Sequence, residues 1–148
     1  MKTQTPHARL RTLLDGTATW DAFDALCDER PDGIVSATRA LLTESEGARA
    51  QTLVRFLAHW GDDEAVGALV GSLDHPDAGV VAAALEHLNR LRSRIPPPKV
   101  RALLGHPDRL VVLGALGAAG HTGDLSLAPE VAAFLHSEGE LQAQAAVA

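Results

Sequence analysis

A chain of 148 residues that is 46% hydrophobic can bury a sizeable core and is too apolar to stay disordered. Its net charge of −6 argues against nucleic acid or an anionic membrane as the main partner, and its one cysteine, Cys27, excludes a disulfide framework. With aromatics at only 3% and no tyrosine, the core must rest on Ala, Leu and Val, which suit close helix–helix contacts.

The elements can be taken in chain order. Residues 6–14 (PHARLRTLL) and 20–29 (WDAFDALCDE) form a first pair of apolar-periodic stretches. Residues 34–42 (IVSATRALL) and 48–60 (ARAQTLVRFLAHW) form a second pair. The third pair is the clearest. In 63–73 (DEAVGALVGSL), Ala65, Val66, Leu69, Val70 and Leu73 follow the spacing of an amphipathic helix, and in 80–91 Val81, Ala84, Leu85, Leu88 and Leu91 repeat it. Residues 97–104 (PPKVRALL), with Pro97 and Pro98 suited to a helix start, pair with 109–120 (RLVVLGALGAAG). Residues 127–136 (LAPEVAAFLH) pair with 140–148 (ELQAQAAVA). No stretch alternates as a strand would.

A turn signal stands inside each pair, and these turns begin at Asp15, Glu44, His75, His106 and His136, at intervals of 29, 31, 31 and 30 residues. A steady period near 30 is the signature of a solenoid. Two of the turns share the tripeptide His-Pro-Asp. Proline drives the preceding His75 and His106 out of helical geometry, and Asp77 and Asp108 can cap the helix that follows. The tripeptide thus reads as helix stop, turn and helix start. It also occurs in J-domain co-chaperones, but there it is unique and follows a basic helix, whereas here it recurs at the repeat period and its first copy follows an acidic stretch without lysine, residues 63–74. The expectation is ten helices in five hairpins within a single domain, residues 1–148: an all-α, right-handed α-solenoid.

The segment 61–88, GDDEAVGALVGSLDHPDAGVVAAALEHL, resembles a HEAT-like repeat of the short bacterial type, which is also found in phycobilin lyases. The likeness rests on Gly61-Asp62 before the first helix, Ala65-Val66 and Leu69 within it, the Asp/Pro turn and the Ala/Leu second helix. Residues 113–131 echo it. The sequence departs from the pattern in two places. Only Ala48-Arg49 keeps the arginine that the family often places early in the second helix, and 92–100 (RSRIPPPKV) replaces the usual Gly-Asp connection. The resemblance implies a HEAT-like superhelix whose surface binds another protein.

No constellation for chemistry stands out. The seven histidines lack a His-x-x-x-His or His-Glu-x-x-His spacing, so no metal and no other cofactor is expected. Gly114, Gly117, Gly120 and Gly123 lack the strand–turn–helix setting and the Lys-Ser/Thr of a phosphate loop; close packing explains them, with Gly120 ending its helix. Cys27 lies beside Asp28 and Glu29, which raise a thiol's pKa and disfavour a nucleophile. Once the repeats are aligned, Arg30, His59, Arg90 and His121 fall at equivalent places near the ends of second helices, with Arg55 and Glu86 one turn earlier. Cations there complement the helix dipole, and they also form a candidate row of partner contacts.

The expected function is a non-catalytic protein-interaction scaffold or adaptor, cytoplasmic, with a protein partner and neither nucleic acid nor membrane. The alternatives are a subunit of a bilin lyase-type enzyme and a HEAT-like nucleic-acid-binding protein. Leu141, Ala145 and Ala146 in the last hairpin offer a small apolar face for self-association. The N-terminus has no long apolar run of the signal-peptide kind, and no stretch of about 18 apolar residues suggests a membrane span.

Overall fold

The computed structural model describes the backbone of residues 4–17 and 19–147, with side chains to Gly139 and at Gln144. The described residues are helical, with no strand. The α-helices are α1 Pro6–Asp15, α2 Trp20–Glu29, α3 Ile34–Thr43, α4 Gly47–Trp60, α5 Asp63–Gly71, α6 Ala78–Arg90, α7 Pro97–Leu104, α8 Arg109–Thr122 and α9 Ala128–Val147. Short 3₁₀ turns stand at Ser72–Asp74 and Leu125–Leu127. The chain divides into two compact units, residues 1–88 and 89–148.

In the first unit, α1 packs on α3 and α3 on α5, while α2 packs on α4. The helix α4 also packs on α3 and α5. Most of the apolar stripes that the periodicity marks are buried: Leu10, Leu26, Ile34, Leu41, Leu53, Phe56, Leu57, Leu69, Leu85 and Leu88 are all within 1% of complete burial, whereas Val66 and Val70 are half-buried and Leu91, just past the end of α6, is 43% exposed. In the second unit α7 packs on α8 and on α9, around Ile95, Val100, Val111, Ala115 and Leu127.

Polar cross-links run about one period along the chain. Arg11 pairs with Glu44, Arg49 with Asp15, Arg30 with Asp62 and His59 with Asp24 in the first unit; Arg101 pairs with Glu130 and Arg109 with Glu138 in the second. Arg49, near the start of α4, thus finds its carboxylate at the end of α1.

Both His-Pro-Asp turns lie between helices, with matching internal geometry. The imidazole Nδ1 accepts the backbone N–H two residues on, at 3.0 Å in His75–Asp77 and 3.0 Å in His106–Asp108. The aspartate then caps the next helix: Asp77 Oδ1 accepts from Gly79 N–H, and Asp108 Oδ1 from Leu110 and Val111 N–H. The first copy does more. Asp77 Oδ2 accepts the Gly47 N–H at 2.8 Å, and His75 Nε2 lies 3.2 Å from the Leu42 carbonyl and 3.1 Å from that of Ser45. It therefore ties the α3–α4 turn to the α5–α6 turn.

The fifth hairpin is a correction. Residues 136–139 were expected to turn, which would have given ten helices, but α9 runs unbroken from Ala128 to Val147, leaving nine α-helices among the described residues. His136-Ser137-Glu138-Gly139 contains no proline, and Gly139 does not take the left-handed conformation that Gly47 and Gly123 adopt at real turns. Ser137 Oγ instead donates back to the Phe134 carbonyl inside the helix. A lone glycine in a helix costs only about 1 kcal/mol against alanine, too little to force a break. Gly120 likewise does not end α8; the helix continues to Thr122 and stops at Gly123, with φ 60°. The apolar face expected at Leu141, Ala145 and Ala146 lies outside the described side chains.

Four carboxylates are held below their ordinary range: Asp77 by the N–H groups of Gly47 and then Gly79, Glu29 by Arg9, Asp124 by Ser126, and Glu130 by Arg101. A carboxylate with a depressed folded pKa stabilises the fold above its unfolded value, about 4, and that contribution disappears as pH falls through the folded value. As pH drops below about 4 the melting midpoint should therefore fall as these carboxylates protonate. In Asp77→Asn that acid dependence should be shallower. Identical acid profiles for the variant and the parent would show that Asp77 does not contribute.

Candidate functional site

The chain has five aromatic residues of the Phe and Trp kinds, and four of them form one row on α2 and α4. Trp20 stacks on Phe23 at 5.3 Å, Phe23 meets Phe56 at 5.8 Å, and Phe56 meets Trp60 at 6.0 Å. Helical spacing builds the row. Trp20 and Phe23 are three residues apart on α2, Phe56 and Trp60 four apart on α4, and the packing of α2 against α4 joins them. Phe23, Phe56 and Trp60 are buried, and Trp20 is half-buried at the edge.

Cations cover the outer side of this row. The Arg55 guanidinium lies 3.9 Å above the Trp20 ring, Arg30 lies 4.9 Å above Trp60, and the His59 ring meets Trp20 edge-on at 6.0 Å. Exposed cation–π pairs of this kind are worth about 0.5–1 kcal/mol each. Acids hold two of the three cations. Arg30 Nη1 is 3.8 Å from Asp62 Oδ2, the oxygen that also accepts the Trp60 indole N–H at 2.6 Å. Asp62 Oδ1 caps α5 through the Ala65 N–H. His59 Nε2 lies 3.0 Å from Asp24 Oδ1, close enough for charge attraction, although that enclosed oxygen accepts no aligned hydrogen bond among the described residues. For Arg55 the described contact is the indole face.

The structure thus brings three of the sequence-selected residues together: Arg30, Arg55 and His59. Glu86 is exposed on α6 in the same unit, and Arg90 and His121, both exposed, stand at the ends of α6 and α8 with the second unit. The dipole setting is as expected, since His59 and His121 lie in the last turns of α4 and α8. Arg30 is different: it sits past the end of α2 with φ 47°, a left-handed position that glycine normally fills. Sequence reasoning missed the two tryptophans and the two aspartates as site members. The repeat alignment gave no signal for them, because Phe23 and Phe56 lie 33 residues apart and Asp24 and His59 lie 35 apart, off the 29-residue offset that relates Arg30 to His59.

Burial pushes the Cys27 thiol up and the charge of Asp24 pushes it further; Arg30 opposes them, and Asp28 adds a smaller upward push. The thiolate is the reactive form, so Cys27 should react with Ellman's reagent at pH 7.5 more slowly than free cysteine. Rapid, stoichiometric labelling of the folded protein would contradict this placement.

Each unit also carries a cleft. One, of about 310 Å³, lies in the first unit and is lined by Arg39, Leu42, Ser72, Asp74, His75 and Pro76 among others. The other, also about 310 Å³, lies in the second unit at Arg94, Ile95, Pro97, Thr122 and Asp124. Among the described residues no three His, Cys, Asp or Glu side chains are placed to share a metal ion, and no helix is long and apolar enough to cross a membrane. Comparison with family models, curated proteins and solved structures gives no match.

Proposed function

We propose that the chain is a non-catalytic protein-interaction module, built from HEAT-like hairpins stacked as a right-handed solenoid, that binds a partner protein through the exposed edge of α2 and α4. The stacking reading draws on polar cross-links that recur about 30 residues apart, as at Asp77–Gly47, Arg30–Asp62 and Arg101–Glu130. The observation that carries the binding reading is Arg55 lying flat on half-buried Trp20, with Arg30 and His59 beside it. Arg and Trp dominate the energetics of protein interfaces, and a guanidinium already stacked on an indole loses little freedom on docking. Partner recognition then works by shape and by the outward edges of the cations, with no covalent step.

The test is affinity capture from the native lysate with the parent protein and with an Arg55→Ala/Trp20→Ala double variant, quantified by mass spectrometry. Removal of two such anchors should lower recovery of a specific partner by at least about 30-fold, the equivalent of about 2 kcal/mol. Circular dichroism checks that the variant keeps its helices. Equal recovery of every captured protein by a folded variant would refute the assignment of this edge.

A further inference from the structure

We propose that His75 is a protonation-sensitive staple between two turns of the first unit: the neutral imidazole holds the α3–α4 turn against the α5–α6 turn, and the imidazolium releases it. The position of the ring proton follows from the contacts of the two nitrogens. Nδ1 accepts the Asp77 backbone N–H at 3.0 Å, so it carries no hydrogen. The ring proton is therefore on Nε2, which faces two acceptors, the carbonyls of Leu42 and Ser45. Both nitrogens are committed, each in the one role that the neutral Nε2–H tautomer allows.

Protonation changes only one of these contacts. Nε2–H goes on donating to the carbonyls. Nδ1 gains a hydrogen and then points a donor at a donor, so the Asp77 amide must move away. Asp77 is also the hub of the knot. Its Oδ2 holds the Gly47 N–H, and its Oδ1 holds the Gly79 N–H at the start of α6. A shift of the Asp77 backbone therefore loosens the tie to the α3–α4 turn and the cap of α6 together. The site has little slack, since a side-chain carbon at Gly79 would lie 3.0 Å from Gln51 Nε2 and 3.1 Å from Asp77 Oδ1.

The charged groups around the ring come from each neighbouring element. The Asp77 carboxylate interacts electrostatically with the imidazole. Arg39 of α3 and Asp74 of the 3₁₀ turn line the cleft that His75 borders. Glu44 and Glu46 flank Ser45, and Glu44 is engaged by Arg11. The Asp77 carboxylate is held below its ordinary range by the N–H groups of Gly47 and Gly79, so it stays charged while the imidazole is tested. The second copy is an internal control. His106 repeats the Nδ1 contact to Asp108, but among the described residues its Nε2 has no counterpart to the Leu42 and Ser45 carbonyls.

The experiment uses the whole protein and nuclear magnetic resonance. Long-range ¹⁵N spectra at pH 7.5 should show His75 as the Nε2–H tautomer. Amide exchange, expressed as protection factors to remove the intrinsic pH effect, is then followed as the His75 ring is titrated down to pH 5. The Asp77, Gly79 and Gly47 amides should lose about fivefold or more in protection, the scale of one net hydrogen bond, with the midpoint of the His75 titration. In His75→Asn, whose side chain does not titrate, protection at Gly47 should be flat over the same range. In His106→Asn the Gly47 response should persist. An Nδ1–H tautomer, or unchanged protection at Gly47 and Asp77 through the His75 titration, would overturn the proposal, and neither measurement depends on a variant folding.

Discussion

Phe56→Ala should remove about 3–5 kcal/mol from the stability of the first unit, the range for emptying a fully enclosed aromatic site. Phe56 is 0% exposed and lies between Phe23 at 5.8 Å and Trp60 at 6.0 Å. Its loss leaves a cavity and also ends two aromatic contacts, each worth about 0.5–1.5 kcal/mol beyond burial. Domains of this size carry only about 5–15 kcal/mol in total, so the variant should be close to unfolding at 37 °C. Denaturant unfolding followed by tryptophan fluorescence is the measurement, because both tryptophans of the chain sit in this row. A loss below about 1 kcal/mol would mean that the row is not packed as described.

Ile95→Ala should cost the second unit about 2–5 kcal/mol, although Ile95 stands in a connection and not in a helix. It is 1% exposed, directly before the three prolines 96–98 that launch α7. Proline cannot extend a helix backwards, so the chain enters α7 in an extended form that turns Ile95 inward. Protection of the α7 and α8 amides from exchange should fall accordingly. Arg94→Ala next to it, at an exposed position, should be nearly silent. Equal effects at the two positions would show that Ile95 does not anchor the unit.

Much of the helix pattern was legible because two independent signals agreed in it. At 63–91 the helical spacing of Ala65, Leu69, Leu73, Ala84 and Leu88 coincides with a proline turn and an aspartate cap, and all five residues are buried. At 136–139 only the period called for a turn, and without proline or a left-handed glycine the helix passed through. The site was half legible. Arg30, Arg55 and His59 emerged from their places at helix ends, but their aromatic partners did not, since a stack between α2 and α4 depends on side-chain direction across hairpins. Ile95 was hidden for a similar reason: one apolar residue in a polar, proline-rich connection has no period to reveal it.

Hydrogen-exchange mapping with the captured partner bound tests directly whether the α2–α4 edge is a protein-binding surface. Added protection should concentrate in peptides covering residues 20–30 and 49–60, around Trp20, Arg30, Arg55 and His59, and Arg55→Ala should reduce it there. A captured partner that protects only other segments, with 20–30 and 49–60 exchanging as in the free protein, would contradict it.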